Sequence, residues 1–303
     1  MDPLGPTDVD AAAARIAGRV RRTPLLAVEP DAFGLPGRIA LKLDLLQPTG
    51  SFKVRGATNL LAGADVPAAG VVAASGGNFG LAVAHAARAL GHRATIVVPD
   101  TSPPAKREPL AALGADVEVV PGVYADALAH ADRMVAATGA LRAHAYDDAL
   151  VVAGQGTVAV EVVADLPDVD TIVVAVGGGG LVAGVCAAVE DRVRVVGVET
   201  TGCPALTAAL DAGGPVDVEV GGLAVASLGA RRLGEHAWAA RHHLDVALAV
   251  SDQAVAAAQD ALWSACRLRA EPGGAAALAA LTSGAYVPAA DETVAVVVCG
   301  ANG

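Results

Sequence analysis

Lysine is nearly absent from this chain. Of its 21 basic side chains only three are lysines: Lys42, Lys53 and Lys106. A guanidinium stays protonated, whereas an amine can lose its proton in a suitable pocket and attack a carbonyl. Any such chemistry therefore has few residues to rest on. Aromatic residues make up only 3% of the 303 positions, while 54% are hydrophobic, mostly Ala, Val and Leu. Small aliphatic side chains at that level suit helices packed closely on sheets. Cysteine is sparse as well: Cys186, Cys203, Cys266 and Cys299 form no CxxC pair, and no metal-ligand spacing with histidine occurs. Free thiols in a reducing cytoplasm are expected, and no metal site. Positive charge is short, with a net charge of -11 and a pI near 5.0, so a nucleic-acid or anionic-membrane surface is excluded. Every apolar run is broken by Gly or a charge before about 18 residues, so no membrane span is expected. The start, Met1-Asp2-Pro3, has no basic region leading into an apolar core, so no secretory leader is expected either.

What the chain does have is alternation. Short β-branched runs at Ile39–Leu43, Val71–Ala74, Ala94–Val98, Val117–Val120, Thr171–Val176, Val193–Val198, Leu244–Val250 and Thr293–Val298 are separated by alanine-rich stretches. Those stretches predict helices over 52–63, 78–91, 103–113, 123–139, 151–165, 180–190, 204–212, 252–268 and 273–282. Ser51 is the expected cap of the helix carrying Lys53, and Ser251-Asp252 opens another. Pro103-Pro104 suits a first helical turn. Strand, helix, strand at this spacing implies right-handed crossovers and parallel sheets, an α/β protein. The run from 70 to 147 reads as one β-α-β-α-β-α-β block. Two lobes are expected, the smaller (70–147) inserted into the larger (1–69 and 148–303).

Three segments carry candidate chemistry. Lys53 stands in Pro48-Thr49-Gly50-Ser51-Phe52-Lys53-Val54-Arg55-Gly56-Ala57, between a turn and a helix. It is either a Schiff-base lysine or a solvated helix-surface lysine. Val173-Val174-Ala175-Val176-Gly177-Gly178-Gly179-Gly180-Leu181 is a strand, four glycines and a helix start. Successive glycines let backbone amides converge on an anion at a helix N-terminus, which makes a phosphate cradle. One or two glycines would suffice for a plain turn. Ser75-Gly76-Gly77-Asn78-Phe79-Gly80 is a second strand-to-helix turn, able to grip a small carboxylate or simply to cap its helix through Ser75 or Asn78. Cys299, at the end of the last strand, is either a ligand contact in the crevice of an α/β sheet or a buried small residue.

Taken together these segments resemble the serine/threonine dehydratase family, within the fold-type II pyridoxal-phosphate (PLP) enzymes of the tryptophan synthase beta-like superfamily. Lys42 to Ala57 looks like the family's cofactor-lysine segment, Ser75 to Gly80 its substrate-carboxylate loop, and Gly177 to Leu181 its tetraglycine loop. Tyr146-Asp147-Asp148 with Ala153-Gly154-Gln155-Gly156-Thr157 resembles its mid-chain signature. Glu271-Pro272-Gly273-Gly274-Ala275 and Cys299-Gly300-Ala301-Asn302 resemble its C-terminal blocks. Order and spacing hold from about residue 20 to the end. The resemblance implies two parallel-sheet, three-layer lobes, the larger binding PLP, and usually a homodimer. Lys53 would hold the cofactor covalently, Phe52 would lie beside the ring, and Asn78 would bond its 3-hydroxyl. Gly177, Gly178, Gly179, Gly180 and Leu181 would bind the phosphate, and Cys299 would face the ring nitrogen. Ser75, Gly76, Gly77 and Asn78 would hold the substrate carboxylate.

The implied reaction is β-elimination from L-threonine, L-serine or a related β-hydroxy amino acid. Lys53 would take the α-proton, the β-hydroxyl would leave with proton donation from the cofactor phosphate, and the released enamine would hydrolyse to a 2-oxo acid and ammonia. Alternatives with the same cofactor are β-replacement, as in cysteine synthesis, and racemisation. A non-catalytic nucleotide-binding module is the alternative from another class. Departures from the family pattern narrow the choice. Gly76 stands where racemising relatives carry a serine, and Phe79 replaces a common histidine, making the pocket more apolar. Ala205 stands where a second carboxylate would join Glu199 at a divalent-cation site, so Mg²⁺ is not expected. With no appended regulatory domain, feedback by isoleucine is not expected.

Overall fold

The computed structural model describes residues 3–302. In chain order, the strands are β1 (Leu25–Ala27), β2 (Arg38–Lys42), β3 (Val71–Ala74), β4 (Ala94–Pro99), β5 (Asp116–Val120), β6 (Leu141–Arg142), β7 (Thr171–Ala175), β8 (Arg194–Thr200), β9 (Val246–Val250) and β10 (Thr293–Val297). The helices are α1 (Pro6–Ile16), α2 (Lys53–Gly63), α3 (Asn78–Leu90), α4 (Pro104–Ala112), α5 (Tyr124–Thr138), α6 (Ala149–Asp165), α7 (Gly180–Val189), α8 (Ala205–Ala212), α9 (Val225–Leu228), α10 (Glu235–Ala240), α11 (Asp252–Cys266) and α12 (Pro272–Thr282).

Two sheets result. One has the order β1-β2-β10-β7-β8-β9 and is parallel except where β1 pairs antiparallel with β2. The other, β5-β4-β3-β6, is wholly parallel. Strands β7 and β10 are buried at every position, as strands covered on both faces must be, and their sequences (TIVVA and TVAVV) run without polar alternation. Helix α12 packs on β7 to β10, and α11 lies on α12; α7 packs on β7 and β8, with α6 outside it. Around the smaller sheet, α3, α4 and α5 contact its strands, and α2 bridges α3 and α6. No helix among the described residues is long and apolar enough to cross a membrane.

The glycine and alanine content is explained by helix spacing. A Cβ on Gly156 of α6 would strike the Gly184 carbonyl of α7, and one on Gly154 would strike Gly56 of α2. The three helices therefore touch backbone to backbone. Expected start signals are present at several helices. Ser251 Oγ accepts from the Ala254 amide at 3.2 Å, and Pro104 is in the first turn of α4. Helix α6 starts at Ala149 rather than 151 because Asp148 accepts from the Val151 amide at 3.0 Å.

The expected Ser51 cap is not formed. The N-cap of α2 is Phe52, already helical at φ -54° and ψ -22°. Ser51 instead pairs with Gly300 in a single antiparallel bridge, and its buried hydroxyl has no partner among the described residues. Strands β1 and β6 and helices α1, α9 and α10 have no counterpart among the spans expected from sequence.

Candidate active site

The segment leading to Lys53 is bound to the C-terminal end of β10. The Leu45 amide donates to the Val298 carbonyl, the Phe52 amide to Cys299 and the Ala301 amide to Gly50, each at 2.9 Å. Gly50 has φ +71°, and a side chain there would collide with Asn302. Two residues beyond Lys53 on the same helix, Arg55 is completely buried. It makes a bidentate pair with Asp44, 2.8 Å on each arm, and also binds Glu161 at 2.7 and 2.9 Å. Buried Lys42 joins the cluster through Glu161 at 2.6 Å and the Thr23 carbonyl at 2.6 Å. Burial pushes the Asp44 carboxyl up, but the charge and hydrogen bonds of Arg55 outweigh it and hold Asp44 below its ordinary value. Opposite charges at this contact are what allow four ionic groups to sit under α2.

One cavity lies at the C-terminal ends of β7 and β10. It is lined by Phe52, Lys53, Asn78, Gly177, Gly178, Gly179, Leu181 and Cys299, together with Tyr146, Ser227, Leu228, Glu271 and Gly273. Lys53 Nζ donates to the Ala145 carbonyl at 2.8 Å and lies 5.0 Å from the Phe52 ring centre. Burial, which disfavours the charged ammonium, lowers its pKa to about 8. The amides of Gly177 to Leu181 find no acceptor among the described residues. Tyr146 covers Gly178, Leu228 lies against Gly177 and Ala237 against Gly179, so side chains at these positions would collide. The glycines thus admit the covering residues while five amides remain open at the start of α7, a donor set suited to a phosphate.

Asn78 does not cap its helix; the N-cap of α3 is Gly77, with no side-chain bond. Its Nδ2 donates to Glu271 Oε1 at 2.6 Å, and its Oδ1 accepts from Asn302 at 2.9 Å. One amide hydrogen stays available for a ligand. Cys299 Sγ donates to the Gly273 carbonyl at 3.5 Å, and burial pushes the thiol far up, so it stays protonated. Ser75, Gly76, Gly77 and Gly180 flank the cavity in sequence without lining it. Phe79 is buried among Val54, Ala57 and Ala82, with its ring centre 5.9 Å from Lys53 Nζ; its apolar character goes to the core. Glu199 is committed to the start of α8, where the amides of Leu206 and Thr207 donate to it at 2.7 and 2.9 Å.

Tyr146 and Glu271 line the cavity although sequence reasoning gave them no role; each stood in a segment carrying the family resemblance. Ser227 and Leu228 had no such signal. The donor set fits a phosphorylated aldehyde: an amine of lowered pKa, five open amides, one free Asn78 hydrogen and a neutral thiol in one cavity.

The family described as "Pyridoxal-phosphate dependent enzyme" matches residues 16–300. An L-threonine ammonia-lyase of Geobacter sulfurreducens is 36% identical over 93% of this chain and 72% of its own. One from Thermotoga maritima is also 36% identical, over 97% and 75%. Among solved structures, a threonine deaminase from T.th. superposes with a TM-score of 0.90 at 34% identity, covering 99% of this chain and 98% of that one. Maize serine racemase superposes with a TM-score of 0.93 at 29% identity, covering 100% and 94%. With a fold-type II architecture and a match over nearly the whole length, this chain belongs to the pyridoxal-phosphate dependent enzyme family, among its serine/threonine dehydratase-like members.

Proposed function

We propose that the protein is an ammonia-lyase that dehydrates and deaminates L-threonine, L-serine or a related β-hydroxy amino acid to a 2-oxo acid and ammonia. The observation that carries this reading is the grouping of Lys53, the open amides of Gly177–Leu181 and the Cys299 thiol in one cavity. The two L-threonine ammonia-lyases at 36% identity support the choice of reaction.

PLP, when bound, supplies the electron sink that acidifies the α-proton of an attached amino acid. The protein's part follows from its residues. Gly177, Gly178, Gly179, Gly180 and Leu181 hold the phosphate through their amides. Asn78 offers its free amide hydrogen to the ring hydroxyl, and Phe52 flanks the ring. Cys299 would face the ring nitrogen as a neutral thiol, a partner that supplies no charge to hold a proton there and so suits loss of a β-substituent. Ser75, Gly76, Gly77 and Asn78 hold the substrate carboxylate at the start of α3. Lys53, whose lowered pKa leaves a fraction of its amine free near neutral pH and most of it free above about 8, would bind the cofactor and take the α-proton at Nζ. Gly76 supplies no side-chain acid for the opposite face, which argues against racemisation.

The lobes 70–147 and 1–69 with 148–303 belong to the same proposal, as do a homodimer and a cytoplasmic location; the four unbridged cysteines support the last. The test is direct. Purified protein should show visible absorbance from lysine-bound cofactor and release 2-oxo acid from L-threonine or L-serine, while Lys53→Ala should be colourless. Equal covalent cofactor in both proteins would sink the Lys53 assignment. Release of cysteine from O-acetylserine and sulfide, without 2-oxo acid, would replace elimination by β-replacement.

A further inference from the structure

Glu271 is a buried carboxyl with no use in the steps above. It is 6% exposed and is the sole carboxyl lining the cavity among the described residues. No Lys or Arg lies within ion-pair distance of it among the described residues. Asp44 gives the contrast, fully buried but gripped by Arg55. Glu271 has neutral hydrogen-bond donors instead. Asn78 Nδ2 reaches its Oε1 at 2.6 Å, and its own backbone amide is used on the Gly300 carbonyl at 3.0 Å. A buried carboxyl without a cation favours its protonated form. Burial raises its pKa, against the bonds from Asn78 and the Asn302 amide and the weaker pull of Lys106 and Lys53. It shares the cavity wall with Lys53 and Cys299.

We propose that Glu271 is the acid that protonates the departing β-hydroxyl. The cofactor phosphate is then an anchor alone, held by amides. The proposal rests on the elimination reading. The step balances within the chain. Lys53 Nζ takes the α-proton, and the electrons of that C–H bond form the Cα–Cβ double bond. The Cβ–O pair leaves with the oxygen, which takes the Glu271 proton and departs as water. Lys53 then releases its proton to solvent and the Glu271 carboxylate takes one up, restoring both groups without any oxidant or reductant.

The test uses two leaving groups on the holoenzyme. Hydroxide needs a proton to depart, whereas the chloride of β-chloro-L-alanine does not. Glu271→Gln keeps an oxygen for Asn78 and removes only the acid. It should keep the parent's visible absorbance and cofactor affinity, lose kcat on L-serine or L-threonine by about 10²-fold or more, and process β-chloro-L-alanine within about threefold of the parent. Glu271→Asp, which retains a carboxyl, should keep more hydroxy-substrate turnover than Gln. Equal loss on both kinds of substrate, no loss on either, or failure of the Gln variant to hold cofactor would overturn the assignment and leave Glu271 a support for Asn78. A parent enzyme that releases 2-oxo acid from neither substrate would overturn the elimination reading, and this proposal with it.

Discussion

At the scale of single residues, the decisive quantity is the proton on Lys53. An ordinary lysine near 10.5 offers little free amine at neutral pH; burial brings this one to about 8. The folded pKa is depressed, so the reactive amine appears as pH rises through about 8. Apoprotein mixed with PLP should therefore take up cofactor with a rate that climbs to a plateau with a midpoint near 8. Stopped-flow absorbance across pH 6–11 checks this; a midpoint near 10.5 would show a solvated lysine. Much at this scale was legible in the sequence. The scarcity of lysine and the four glycines pointed to Lys53 and Gly177–Gly180, because both signals are local. The pairing of Glu271 with Asn78 spans 193 positions, so no spacing rule exposes it. The Ser51 cap failed for a related reason: the bonds of Phe52 to Cys299 and of Ala301 to Gly50 pin Ser51 opposite the distant Gly300.

At the scale of elements, α2 must present Lys53 at a fixed angle, and two devices hold it. The first is the buried ionic cluster. Arg55→Met leaves buried Asp44 without its cation and Glu161 with Lys42 alone, and removing one member of a buried pair costs about 3–5 kcal/mol. Thermal unfolding should show that loss, with weakened cofactor uptake from a tilted helix. The cluster also fixes an acid limb. The folded pKa of Asp44 is depressed, so its contribution is present above the unfolded value near 4 and disappears as pH falls through the lower folded value. Asp44→Asn should flatten that limb of the stability profile. The second device is the glycine contact of α6 with α7. In Gly156→Ala the added methyl meets the Gly184 backbone, which cannot swing aside, and overpacking of this kind costs about 1–3 kcal/mol. A lower denaturant midpoint with an unchanged slope is the expected result. Most strands and helices were legible because their apolar runs are long enough to show a period. Strand β1 has three residues and β6 has two, too short for alternation to register. The cluster was hidden because Lys42 and Arg55 read as ordinary strand and helix cations until Glu161, over 100 positions away, is placed between them.

At the scale of the molecule, the last strand is central. Strand β10 lies between β2 and β7, and the residues after it close the cavity. The large sheet thus cannot be completed until residues 293–297 are in place, and the stretch that follows them supplies Cys299 and Asn302 to the site. Fold and cofactor binding are coupled through one segment, but two changes of different depth separate them. A chain ending at Asp291 leaves β2 and β7 without their common partner and should show no cooperative thermal transition. Asn302→Ala leaves β10 intact and removes only two hydrogen bonds, to the Thr49 carbonyl at 2.6 Å and Asn78 at 2.9 Å. Its melting temperature in the apo form should stay within a few degrees of the parent's. Its affinity for PLP should fall roughly tenfold, because Asn78 loses the group that fixes its amide and about 1.4 kcal/mol of binding corresponds to that factor. Equilibrium titration followed by visible absorbance, beside apo melting curves, checks both halves. An Asn302→Ala protein that melts early and binds normally would show that the C-terminal residues serve the sheet alone.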